Sequence, residues 1–97
     1  KDKEKEAEFN EWYDNIHIPD VLETDGFISA RRFEIQQLRE GKGKFLAFYE
    51  IESNDPSVNL KLLSESMVGK KAAGRMSDLL EVIDTTMYRQ ISELGQT

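Results

Sequence analysis

The chain of 97 residues has no cysteine, one histidine, two prolines and a shortage of positive charge, with 13 lysines and arginines against 19 acidic residues. Without cysteine there is no disulfide framework, thiolate nucleophile or cysteine-bound metal, and a reducing compartment is permitted. A single histidine leaves only a histidine-plus-carboxylate set for a metal. Asp14, His17 and Asp20 are poorly spaced for that, so neither metal nor cofactor is expected. The net charge of −6 argues against nucleic acid or an anionic membrane surface as a partner. No apolar run is long enough to span a membrane and no basic-then-apolar leader occurs, so a soluble, cytoplasmic chain is expected. Two familiar motifs also fail. Gly69 and Gly74 have the spacing of a phosphate loop, but Arg75 and Met76 stand where a lysine and a hydroxyl are needed. No Gly-x-Ser-x-Gly elbow is present.

What the chain does contain suits one small α+β domain over residues 1–97. A domain of this size buries only ~60–65% of its unfolded surface and gains from association. Residues 1–8 alternate charges in the manner of a solvated helix start. Phe9, Trp12, Tyr13 and Ile16 follow at i, i+3, i+4 and i+7, which predicts an amphipathic helix. Pro19 should kink or restart it, Val21 and Leu22 extend its apolar face, and Gly26 suits a left-handed stop. Residues 27–38 and 44–52 are rich in aromatic and branched side chains and are joined by a glycine-containing loop, so an antiparallel hairpin is predicted. In the second strand Phe45, Ala47, Tyr49 and Ile51 share one face while Leu46 and Phe48 occupy the other. Both faces of the sheet therefore need covering, one by helices and the other by a ligand or a second sheet. Residues 53–56 carry helix-start chemistry ending in proline, residues 69–74 read as a loop, and 82–91 alternate as a final strand.

Among the candidate chemical groups, His17 lies one helical turn beyond Tyr13. A partly buried imidazole there can move a proton near neutral pH, with Tyr13, Asp14 or Asp20 orienting it. The plainer alternative is a histidine capping a frayed helix end. Arg31 and Arg32 are adjacent in a strand and must point to opposite faces; one can hold a carboxylate or enolate while the other pairs with an acid. Arg31 is taken as the ligand-binding member. Tyr49 and Tyr88 can each donate a hydrogen bond to a ligand carbonyl or serve as plain core. Trp12 is either a core anchor or part of the pocket wall.

The stretch from Trp12 through Tyr13, Asp14, His17 and Pro19 to Asp20, followed by Gly26-Phe27 and Ala30-Arg31-Arg32-Phe33, resembles the entry segment of EthD-like members of the dimeric α/β-barrel superfamily. That resemblance implies a ferredoxin-like split β-α-β sandwich whose sheets pair in a homodimer to form a barrel, with the histidine tending to face the cavity. It also implies a strand ahead of the first helix, which here would precede Lys1 and occupy a central place in the sheet. The expected function is a cofactor-independent enzyme acting on a small aromatic, polyketide-like or lactone substrate. His17, Tyr13 and Asp20 are its expected catalytic groups, and Arg31, Tyr49, Tyr88 and Trp12 its expected ligand contacts. The alternative is a non-catalytic small-molecule-binding or accessory homodimer. Fold alone does not choose between them.

Overall fold

The stripe of Phe9, Trp12, Tyr13 and Ile16 folds as a helix lying over a two-stranded sheet, and Pro19 decides how that helix continues. The computed structural model describes residues 2–95. Helix α1 spans Asp2–Trp12. Tyr13–His17 then form a π-helical turn, and α2 spans Ile18–Leu22. Pro19 has no N–H to give to the turn before it. The helix widens ahead of it, so that the Ile18 N–H reaches back five residues to the Tyr13 carbonyl. It then restarts with Pro19 in its first turn, where a missing donor costs nothing.

Strands β1 (Phe27–Glu34) and β2 (Phe45–Ile51) pair antiparallel, with Ala30 opposite Tyr49, Arg32 opposite Ala47 and Phe33 opposite Leu46. β1 is shorter than the expected 27–38. Beyond the Ile35 N–H, which reaches the Lys44 carbonyl at 2.8 Å, no residue of β2 remains to pair with it. Near its start β1 carries a bulge: between Phe27 and Ser29 it advances two residues while β2 advances one, from Ile51 to Glu50.

Helix α3 spans Pro56–Ala72. It begins where the sequence places it but corrects the expected loop at 69–74. Gly69 is absorbed into the helix at a cost of about 1 kcal/mol, and Lys70, Lys71 and Ala72 are good helix formers that carry it on. The stop comes at Gly74, whose φ of 77° suits glycine. The Gly74 N–H bonds to the Lys71 carbonyl at 3.0 Å and the Arg75 N–H to the Lys70 carbonyl at 2.9 Å. This pair of bonds is a Schellman closure.

The final strand expected at 82–91 is not formed; among the described residues, 80–95 adopt no regular structure. A strand exists only against a hydrogen-bonded neighbour. β1 and β2 pair with each other, and among the described residues 80–95 form no ladder with the free edge of either. The architecture shown is therefore α+β, with α1 and the π turn packed on one face of a two-stranded antiparallel sheet. No helix is long and apolar enough to cross a membrane.

Among the described residues the buried apolar side chains are Val21 and Phe27, joined by the polar His17, Asp20, Thr24 and Asn59. The surface exposed is 8273 Å², against ~5,700 Å² for a compact monomer of this mass. Much of the difference is apolar. Ile28, Phe33, Leu46 and Phe48 lie exposed on the sheet face away from α1, as do Val58, Leu62 and Val68 on α3.

Gly26 fixes the approach of α3 to the start of β1. Its φ is 88°, and a Cβ placed there would lie 2.9 Å from Asn59 Cγ and nearer still to Asn59 Nδ2. The Asn59 side chain meanwhile donates to the Asp25 carbonyl at 2.7 Å. Gly41 has a similar φ of 78° but nothing within 4 Å. Gly41→Ala is therefore expected to cost ~1 kcal/mol from backbone strain alone, and Gly26→Ala ~2–4 kcal/mol from strain plus collision. Urea unfolding of the two variants checks the ranking; equal losses would refute the steric contribution.

Candidate functional site

The π turn determines which side chains meet. Residues five apart on an α-helix point about 140° away from one another, whereas i→i+5 hydrogen bonding brings them to one side. Trp12 and His17 accordingly stack, with ring centroids 4.8 Å apart and planes 19° from parallel. Tyr13 meets the same imidazole edge-on at 4.8 Å. From the sheet, Tyr49 of β2 donates its hydroxyl to the Tyr13 hydroxyl at 3.1 Å. Arg32 of β1 lies over the Tyr13 ring, its Cζ 4.5 Å from the centroid. Its Nη1 donates to Asp14 Oδ1 at 3.0 Å and its Nη2 to Asn10 Oδ1 at 2.7 Å.

The environment sets the protonation of these groups. Burial lowers the His17 pKa from its ordinary 6.5, against an opposing pull from the Asp20 charge, so the ring is neutral at neutral pH. His17 Nδ1 is buried with no hydrogen-bond partner. Burial, reinforced by the Tyr13 hydroxyl, raises the Tyr49 phenol far above its ordinary 10.0. Tyr49 therefore stays protonated and donates a hydrogen bond to Tyr13 Oη, leaving the Tyr13 O–H free to donate to another acceptor. A neutral imidazole beside a hydrogen-bonded tyrosine pair and a guanidinium can take a proton from carbon and hold the oxygen that gains charge.

Asp20 is occupied differently. Only 3% exposed, it takes two bonds from Arg75, Nε to Oδ2 at 2.8 Å and Nη2 to Oδ1 at 2.9 Å, with Lys70 Nζ 3.8 Å away. The Arg75 hydrogen bonds outweigh burial and hold the carboxyl below its ordinary 3.8. Its charge is thus paired with Arg75 one turn beyond His17. Trp12 is also committed, its indole N–H donating to the Arg75 carbonyl at 2.8 Å.

Of the residues expected at the site, the structure brings together His17, Tyr13, Tyr49 and Trp12, with Asp20 on the following turn. Two stand elsewhere. Tyr88 belongs to the 80–95 segment, which forms no strand, and is 82% exposed. Arg31 shares the outer sheet face with Phe48 and Phe33, and Arg32 takes the inward place. Alternation counted from buried Phe27 points to Arg31, but the bulge before Ser29 reverses the parity. Arg75 and Asn10 were missed as well. Arg75 carried no signal beyond its place after Gly74, and Asn10 lies outside the apolar stripe.

Two shallow clefts border the cluster. One, of about 450 Å³, is lined by Ala7, Glu8, Glu11, Trp12, Asn15 and Ile16. The other, of about 340 Å³, is lined by Asn10, Asp14, Arg32, Phe33, Glu34 and Phe45. His17 lines neither. Among the described residues no three histidine or carboxylate side chains are placed to hold a metal ion.

A family model described as "Domain of unknown function (DUF4286)" matches residues 2–58, more than half of the chain. The chain belongs to the DUF4286 family. The DUF4286 match takes in Tyr13, His17, Asp20, Arg32 and Tyr49 and ends in the first turn of α3, so Arg75 and Tyr88 fall beyond it. No curated protein and no solved structure matches the chain.

The lowered His17 pKa makes stability depend on pH. The unfolded chain takes up the proton first, so stability is constant above about 6.5 and declines as pH falls from there through the depressed native value. The Asp20 contribution is separate and is lost only below 3.8. Urea unfolding between pH 7.5 and 5 is expected to show this decline in the native chain and its absence in His17→Gln. A flat native profile would show that the imidazole is not held neutral.

Proposed function

We propose that this DUF4286 chain is a cofactor-independent small-molecule enzyme built on the dimeric α/β-barrel plan of the EthD-like proteins it resembles. In this reading it moves a proton on a small aromatic, polyketide-like or lactone substrate, as an isomerase, cyclase, lyase or small monooxygenase. His17 accepts the proton, the Tyr13–Tyr49 pair donates to the substrate carbonyl, and Arg32 balances the enolate charge. The observation that carries this reading is the buried, unpartnered Nδ1 of a neutral His17 beside two linked phenols. A structural histidine ordinarily has its buried nitrogens satisfied.

The assembly half of the proposal rests on the uncovered face. Ile28, Phe33, Leu46 and Phe48 are exposed there together, and a second sheet would cover them. The outer edge of β2 has no neighbour among the described residues, which supports a further strand between it and segment 82–91. A non-catalytic binding or accessory homodimer is the second reading. It is favoured by the rings that pack against His17 and by its absence from both clefts.

Light scattering at micromolar concentration is expected to give a homodimer, whose interface buries at least ~1,200 Å² in total. Leu46→Glu on the outer face is expected to yield a folded monomer. A native species of 11.2 kDa would end the assembly proposal.

Proton transfer is read directly by deuterium exchange at carbon next to a carbonyl, followed by NMR in D2O over a panel of small lactones and aromatic ketones. His17→Ala and His17→Gln are both expected to slow exchange ~100-fold while the fold persists, since an amide cannot shuttle a proton. Native-like exchange by His17→Gln, or melting shifts with unchanged ligand affinity, would transfer the case to the second reading.

A further inference from the structure

The larger cleft and the imidazole face of His17 both border one side chain, Trp12. Its indole lines the 450 Å³ cleft and stacks on the imidazole at 4.8 Å. Rotating it away would join the cleft to His17. What prevents this is a residue that the proton-transfer chemistry does not use. The indole N–H is bonded to the Arg75 carbonyl at 2.8 Å, and Arg75 is itself fixed twice. Its N–H closes the Schellman turn on Lys70 at 2.9 Å, and its guanidinium grips buried Asp20 through bonds of 2.8 and 2.9 Å. The indole cannot leave the imidazole without breaking its bond to a backbone carbonyl anchored at both ends.

We propose that Trp12 is a lid over His17 and that Arg75 is its latch, so that breaking the Trp12–Arg75–Asp20 connection opens a path from the cleft to the imidazole. The latch couples the end of α3 to the site. Anything that shifts the Schellman turn at Gly74, or competes with Asp20 for the guanidinium, changes how often a small molecule reaches His17. The role of the latch rests on the reading in which a ligand meets His17, but its test needs neither substrate nor turnover.

Because His17 is the sole histidine, diethyl pyrocarbonate reports on it alone through the absorbance of carbethoxy-imidazole. The native chain is expected to react slowly relative to N-acetylhistidine. Arg75→Gln breaks the grip on Asp20, and Trp12→Phe keeps a ring on the imidazole while deleting the N–H. Arg75→Gln, which loses a charge-assisted bond, is expected to react ~10-fold faster or more, and Trp12→Phe, which loses a neutral exposed one, ~2- to 10-fold faster. Arg39→Gln, the same charge change in the exposed loop between the strands, is expected to match the native rate. Urea unfolding of each variant separates local opening from general loosening. An increase no greater than the change in the global unfolding constant would overturn the proposal, as would a native rate equal to that of N-acetylhistidine. Should Arg75→Gln fail to fold, Trp12→Phe decides alone. Latch-controlled labelling without deuterium exchange on any substrate would leave the lid standing and remove the enzymatic reading.

Discussion

A carboxylate taken out of water must be compensated, and in this chain that carboxylate is Asp20. It is 3% exposed, and a charge so covered must be paired. The compensation comes from the far end of α3, through both guanidinium bonds of Arg75 and the nearby Lys70. The end of α3, set by Gly74, is thereby held against Asp20. This in turn brings the Arg75 carbonyl to the Trp12 indole, and the indole to the face of His17. Few apolar side chains are fully buried in the described residues, so this polar joint, with Asn59 against Gly26, takes over much of the role of a larger core.

The features legible in the sequence were local and periodic. The stripe at 9, 12, 13 and 16, the hairpin with Phe45, Ala47 and Tyr49 on the inner face, and the proline start of α3 all come from spacing and from single-residue chemistry. The features that were not legible depend on exceptions to spacing. The bulge at the start of β1 changes the parity of every later residue in that strand, which is why Arg32 and not Arg31 lies over Tyr13. The extra residue in the π turn makes neighbours of Trp12 and His17, a pairing that no α-helical wheel would give. The pairing of Asp20 depends on a residue 55 positions away. The alternation at 82–91 predicts a strand, but alternation states only that a segment can pair.

The open surfaces and the closed cluster are complementary. The outer sheet face, the β2 edge and the apolar positions of α3 are all exposed, whereas the polar groups at 13, 17, 20, 32 and 49 are held by bonds and ring contacts already made. The parts left open are those that association or a further strand would cover, and the parts completed within the chain are those with chemical capacity. The described residues thus contain a tightly connected polar cluster beside an uncovered apolar sheet face.

The π turn also governs packing. One added residue rotates the later turns of the helix by about 100° relative to the earlier ones. Upstream, Phe9 and Tyr13 face the hairpin, where they meet Phe45 and Tyr49. Downstream, Val21 and Asp20 turn toward the start of β1 and the end of α3. A uniform α-helix would carry a single stripe and serve a single partner. The widened turn makes residues 2–22 a corner piece, able to hold a sheet with one arm and a second helix with the other, with the only imidazole of the chain at the bend.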